Sequence, residues 1–304
     1  MLDRTMPRVS DPVRAAEPVT PVGSPPEAHR ATPATYVISA DRFRMATLAR
    51  EMWTHRELAY FLAWRDVKVR YKQAALGVGW AVLRPLLMVG VFTLVFSSIA
   101  HVKTTGVPYP VFALIGLMIW TFFSSAVLAA SDSLVNNGNL LSKVYFPRLS
   151  LPLGAVVAQL PDLLVAVLMV AVALVAYAIV PPVTVLLLPL VLALTLLAAL
   201  GMGTWLAAIN VTYRDVKYVV PFLMQVWLFA TPVVYPATLL QRRFWYLNGV
   251  NPAEAPVELA RWALLGQAPA SWIAVAGSVA VSGLLLVTGL MYFRRVESNF
   301  ADVI

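Results

Sequence analysis

Cysteine is absent from all 304 residues, so neither a disulfide nor a thiolate-bound metal can form, and the redox state of the compartment leaves no mark on the chain. Charge is scarce. Only 12% of residues are Asp, Glu, Lys or Arg, against roughly 25% in soluble domains. Histidine is confined to His29, His55 and His101, scattered without the ligand spacing that a zinc enzyme of the H-E-x-x-H kind requires. None of Lys68, Lys72, Lys103, Lys143 and Lys217 follows a glycine. The Gly-Lys step with which a P-loop holds phosphates is therefore missing, and the polypeptide has no ATP site of that type. Paired carboxylates do not recur at short spacing, which makes catalysis by this chain alone an unattractive reading.

What fills the space is apolar: 60% of residues are hydrophobic. A spanning helix needs about 20 mainly apolar residues. Six stretches qualify in turn: Leu83–Ala100, Val111–Ala130, Leu151–Val180, Val183–Ile209, Val219–Pro236 and Trp272–Phe293. The fold expected is all-α, a polytopic membrane protein with six transmembrane helices. The third stretch exceeds what a bilayer requires, so it tilts or projects. The fifth is short and carries Pro221, Pro232 and Pro236, so it is expected to break.

The net charge of +8 is read here as topology rather than as a nucleic-acid footprint. With the amino terminus inside, the inner segments near the membrane hold 13 Lys and Arg and the outer ones four, while six lie in the remote tail. That asymmetry places both termini in the cytoplasm.

Residues 1–40 read as a disordered, Pro-rich cytoplasmic tail: seven of the 22 prolines fall before residue 35, and no apolar run makes a signal peptide. Residues 41–76 form an amphipathic interfacial region, and residues 77–304 the six-span domain. On a helical wheel Tyr60, Trp64, Val67 and Tyr71 share one face, with Arg65, Lys68 and Lys72 as the adjoining stripe. Such a helix lies in the headgroup plane; the plainer alternative is a basic flank that sets orientation. Gly77 and Gly79 are expected to turn the chain into the first span, with Arg84 snorkelling outward.

Three connections stand out. In "NNGNLLSKVYFPR", residues 136–148, Asn139 can cap a short helix that Pro147 stops. It reads as an inner element open to a partner, or as a plain linker. "NVTYRDVKY", residues 210–218, is the other inner loop. On the outer side "NPAEAPVELARWALLG" starts at Asn251 as cap and closes at Gly266, a helix of re-entrant or interfacial length between spans five and six. Its Glu254, Glu258 and Arg261 are explained by capping and an i, i+3 ion pair, or else mark a site.

Within the spans the ionisable residues are Arg84, at an edge, and Asp162, after Pro161. Asp162 lines a polar passage or hydrogen-bonds a neighbouring helix. In the fifth span Phe222, Gln225, Phe229 and Pro232 share a stripe, followed by Tyr235; these face a polymer or pack between helices. No inverted repeat is visible. A greasy scaffold with inner contact elements and no engine invites a separate motor subunit.

The motif series "RDVKVRYKQAALGVGWAVLRPLL", "GVPYPVFALIGLMIWTFFSSA", "SLVNNGNLLSKVYFPRLSLPL", "NVTYRDVKYVVPFLMQVWLFATPVVYP", "NPAEAPVELARWALLG" and "FRRVESNFADVI" resembles the membrane subunit of ABC type-2 exporters. These move O-antigen, capsule or teichoic-acid-like polymers, and the likeness runs from Trp64 to Ile304. The resemblance implies a homodimer in the bacterial cytoplasmic membrane, bound to two copies of a separate ATPase that carries the ATP and Mg. This chain itself then needs no cofactor and no nucleic acid. The resemblance also assigns ATPase contact to Arg65–Lys72, Asn139–Phe146 and Tyr213–Lys217. The coupling candidates are Arg65, Lys68, Arg70, Lys72, Leu141, Lys143, Tyr145, Arg214, Asp215 and Lys217. It further implies a passage at the dimer interface lined by spans one, two and five, with Asp162, Phe222, Gln225, Phe229 and Tyr235 as substrate-path candidates.

Two rival readings stand beside the polysaccharide-export permease. One is a polytopic prenyl-phosphate-processing enzyme using Asp132, Asp215 or Glu254. The other is a drug or small-lipid exporter on the same scaffold.

Overall fold

In the computed structural model residues 1–42 separate from a second unit, Phe43–Ile304. The structure describes residues 53–54, 56–72, 77–99, 101, 104, 106–141, 146–213, 215–239 and 249–297, all in the second unit. The expected tail, Lys143, Tyr145 and Arg214 lie outside the described residues.

The described residues are helical, without a strand. The helices are α1 (Arg56–Lys72), α2 (Gly77–Phe92, continued by a wider π-type turn over Thr93–Ile99) and α3 (Tyr109–Asn136). A single turn, α4 (Gly138–Leu141), precedes α5 (Ser150–Val157) and α6 (Leu160–Ala176). After them come α7 (Leu188–Thr212, preceded by a tight turn over Val183–Leu187), α8 (Val216–Ala230), α9 (Glu254–Leu265) and α10 (Trp272–Val296).

Among the described residues five helical stretches are long and apolar enough to cross a membrane: Gly79–Ile99, Tyr109–Asn136, Ser150–Ala176, Val183–Thr212 and Trp272–Val296. The sixth expected span is the 15-residue α8, about 22 Å at 1.5 Å per residue, shorter than the roughly 30 Å hydrocarbon layer. It stops where its prolines dictate. Thr231 is extended, at φ −103° and ψ 140°, as the residue before a proline prefers. The long third stretch is jointed: α5 ends at Val157, and Pro161 sits in the first turn of α6, where its missing N–H costs nothing. Gly77 and Gly79 do not form the expected turn; both are inside α2.

Helix α3 is the hub. It touches α2, α5, α6, α7, α8 and α9, and its residues from Val111 to Trp120 are all buried. Helix α10 packs on α7 through two glycines. A Cβ on Gly289 would meet the Gly201 carbonyl oxygen at 2.6 Å, and one on Gly201 the Leu286 nitrogen at 2.6 Å. One turn on, Trp205 and Tyr292 stack at 4.8 Å between centroids. Without a hydrophobic force between helices in lipid, such close backbone approach carries the association. Gly289→Ala should therefore cost about 1–3 kcal/mol by overpacking. Thermal unfolding of the purified protein in detergent reads this as a lowered Tm, and an unchanged Tm would disprove the contact.

Two helices are left peripheral. On α2, Leu83, Leu86, Leu87, Val91 and Leu94 are exposed, and on α8 Val219, Phe222, Leu223, Val226 and Phe229. The two helices meet where the ring of the buried Phe92 lies edge-on to that of Phe229 at 6.4 Å.

Candidate functional site

The two ends of α3 carry the polar architecture. At its carboxy-terminal end α1 is laid against α5 through small residues: a Cβ on Gly154 would come within 3.1 Å of the Ala59 carbonyl oxygen and of Leu62 Cβ. Ala59, Leu62 and Ala63 are the buried side of α1, and Tyr60, Phe61 and Trp64 are its exposed side. Of the expected aromatic face, Tyr60 and Trp64 are outward, whereas Val67 and Tyr71 are half-buried.

Two of the α1 cations are held by the chain itself. Arg65 donates to Asp66 at 2.8 Å and to Asn137 Oδ1, at the end of α3, at 2.9 Å. Arg70 Nη1 donates to Asp162 Oδ2 at 2.7 Å and to Gln159 Oε1 at 2.9 Å, and the Tyr71 hydroxyl donates to Asp162 Oδ1. Burial, then the bond to Asp162, pushes the Tyr71 pKa up to about 12, so the hydroxyl keeps the proton it donates. Asp162 thus hydrogen-bonds a neighbouring helix, one of the two roles its position suggested, and fixes the end of α1 to the start of α6. Lys68 and Lys72 are exposed.

The other coupling candidates are divided. Leu141 is buried in a cluster with Leu62, Leu134 and Phe293, so it packs inside the protein against α1 rather than standing exposed. Asn139 is not the cap of its short helix; the Asn137 carbonyl accepts from the Leu140 and Leu141 amides instead. Asp215 and Lys217 are exposed at the start of α8, where the Lys217 ammonium lies 4.8 Å from the Tyr218 ring centroid.

Between the end of α1, the first turns of α2, the middle of α3 and the start of α6 lies a cavity of about 280 Å³. Its polar wall is Arg70, Tyr71, Arg84, Gln159 and Asp162, with the hydroxyl residues Thr121 and Ser125 on α3. Its apolar wall includes Leu114, Leu117, Met118, Phe122 and Leu163. Of the substrate-path candidates Asp162 borders this cavity, and the other four do not. Phe222, Gln225 and Phe229 form the outward stripe of α8, opposite the buried Val220, Met224 and Leu228. Tyr235 folds back to donate to the Phe229 carbonyl at 2.7 Å.

At the amino-terminal end of α3 the unwound chain after α8 is buried, and side chains satisfy its carbonyls. Arg261 on α9 donates to Pro232 O at 2.7 Å and Val233 O at 2.5 Å, and Tyr109 donates to Val234 O at 2.7 Å. Arg261 is 2% exposed, with its guanidinium 3.6 Å from the Phe112 ring centroid. Burial lowers its pKa to about 10, so it remains charged at neutral pH. Glu258 pairs with it at 3.4 Å, and Glu254 accepts from the Gly249 amide at 3.2 Å. The expected helix stop is borne out: Gly266 takes φ +70°. Its start is two residues later than expected, at Glu254, with Asn251 Oδ1 accepting from Ala253 N at 3.0 Å.

The carboxylates of the enzyme reading do not assemble. Asp132 bonds Asn210 near the far end of α3, Asp215 is exposed, and Glu254 belongs to the helix that packs near Gly116. From 116 to 132 along α3 is about 24 Å.

This arrangement, a helical membrane bundle with a platform helix ahead of its first span, is that of a transporter membrane subunit. A family profile described as "ABC-2 type transporter" matches residues 57–265, and the chain belongs to that family. An O-antigen export system permease protein RfbA from Myxococcus xanthus is 35% identical over 197 residues, covering 65% of this chain and 75% of that protein. One from Klebsiella pneumoniae is 23% identical over 245 residues, covering 79% and 92%. The polysialic acid transport protein KpsM of Escherichia coli is 24% identical over 202 residues, covering 66% and 78%.

Proposed function

We propose that this chain is the permease subunit of an ATP-driven exporter that moves a lipid-linked polysaccharide across the bacterial cytoplasmic membrane. It works as a homodimer with two copies of a separate ATPase, and both termini are cytoplasmic. The observation that carries the reading is the platform: Arg65 and Arg70 tie α1 to α3 and α6, while Lys68 and Lys72 stay exposed on the same helix. A push delivered to that basic face reaches the start of α6 through an ion pair. The names of the relatives, O-antigen export and polysialic acid transport, supply the polymer class. The exposed apolar faces of α2 and α8 suit the dimer interface and the passage, with Phe222, Gln225 and Phe229 toward the polymer; Tyr235 borders it.

Reversing both charges, Lys68→Glu with Lys72→Glu, tests the coupling role, because like charges set opposite each other cost several kcal/mol. Co-purification of the ATPase and surface polymer should each fall by about tenfold, with unchanged amounts of permease in the membrane. Full export and an intact complex would remove the role. Normal surface polymer in cells lacking the permease would overturn the function.

A further inference from the structure

The cavity between α1, α2, α3 and α6 has a composition that the scaffold does not require. Arg84, exposed near the start of the apolar stretch Gly79–Ile99, borders the cavity and has no hydrogen-bond or ion-pair partner among the described residues, and a cation at a span is kept where it has a role. Arg70 uses one amino group for Asp162 and Gln159, and its remaining donors are not engaged. Two guanidiniums against one carboxylate leave a single positive charge over, so the complementary ligand is an anion. Planar donor forks of this kind match the oxygens of a phosphate. The facing α3 wall is mainly apolar, Leu114, Leu117, Met118 and Phe122 with the hydroxyls of Thr121 and Ser125 among them, a surface that a free inorganic anion would leave largely uncovered. About 280 Å³ is at the small end of ligand cavities, room for a headgroup and the first part of a chain whose remainder continues into the bilayer.

The geometry points to a binding site for a net-anionic, phosphate-bearing lipid, with Arg84 as counter-ion, the free edge of Arg70 as second donor and the α3 wall holding the start of the hydrocarbon. This deepens the proposed function, since a lipid-linked cargo presents that chemistry on the side where α1 lies. A resident membrane phospholipid presents it too.

Native mass spectrometry of the full-length protein in detergent decides the matter. The protein is incubated in turn with undecaprenyl diphosphate, phosphatidylglycerol, phosphatidylcholine and inorganic diphosphate. The two anionic lipids should be retained at least tenfold better than the neutral phosphatidylcholine. Arg84→Gln should lose about tenfold, the size of one charge-assisted hydrogen bond, and Arg84→Lys should recover part of it. Ala166→Phe, which fills the cavity without changing its charge, should lose the lipid as well. Preference for the polyprenyl diphosphate assigns the site to cargo, and equal retention of phosphatidylglycerol assigns it to a resident lipid; either supports the site. Unchanged binding in both Arg84→Gln and Ala166→Phe, or binding of inorganic diphosphate with no lipid retained, overturns it. No ATPase or transport enters this measurement, so a chain that binds the lipid but exports nothing would sink the proposed function and leave the site standing.

Discussion

Arg261→Met should be the most destabilising of the substitutions considered, lowering stability by 3 kcal/mol or more on the order-of-magnitude scale of about 1–3 kcal/mol for each buried carbonyl stripped of its donor. Two such carbonyls are involved, Pro232 and Val233, on a stretch that is not helical and sits deep in the bundle. Irregular backbone at that depth survives only where protein satisfies it. The clamp is packed as well as bonded: a Cβ on Gly116 would collide with the Val233 carbonyl and come within 2.8 Å of Arg261 Nη2. Thermal unfolding in detergent should show a large fall in Tm for Arg261→Met. Arg261→Lys should fall between, because one ammonium replaces a fork that reaches two carbonyls. Glu258→Gln should change little, since its bond to Arg261 is the longest of the set at 3.4 Å. Wild-type stability in Arg261→Met would show that the carbonyls find other donors.

How much of this was legible beforehand varies with the range of the interaction. The last span was expected at Trp272–Phe293 and is Trp272–Val296, because apolar length is a local property. The stop of α9 at Gly266 was legible for the same reason. The role of Arg261 was not: an i, i+3 pair with Glu258 explained it sufficiently, and its carbonyl partners lie 28 and 29 residues away. Asp162 was recognisable as the charge needing a partner, but Arg70 is 92 residues distant, and no periodicity encodes that pairing. The docking side of α1 was not legible for a physical reason. The aromatic stripe was read as a side lying in the headgroup plane, which says nothing of the opposite side, where the helix docks through Ala59 and Ala63 because Gly154 lets the backbones approach. The cavity could not be read at all, since its walls come from four segments.

That close approach makes Gly154→Leu the second large effect, and one on function more than on folding. The Ala59 carbonyl and Leu62 Cβ already stand 3.1 Å from where a Cβ would sit, and neither is a flexible tip that can swing aside. A leucine there must lever α1 off α5. The pairs Arg65–Asn137, Arg70–Asp162 and Tyr71–Asp162 then lose register together, because one rigid helix carries all three donors. Overpacking of this kind costs about 1–3 kcal/mol, which the helical bundle centred on α3 can absorb while α1 is displaced. Surface polymer should drop at least tenfold, roughly the equivalent of 1.4 kcal/mol, with the permease still present in the membrane fraction. Gly154→Ala should be mild, and Asp162→Asn should fall between, since it removes the ion pair but not the close packing. If Gly154→Leu exports as well as wild type, α1 is not the lever and the push enters elsewhere, with the loop before α8 and its exposed Asp215 and Lys217 the next place to look.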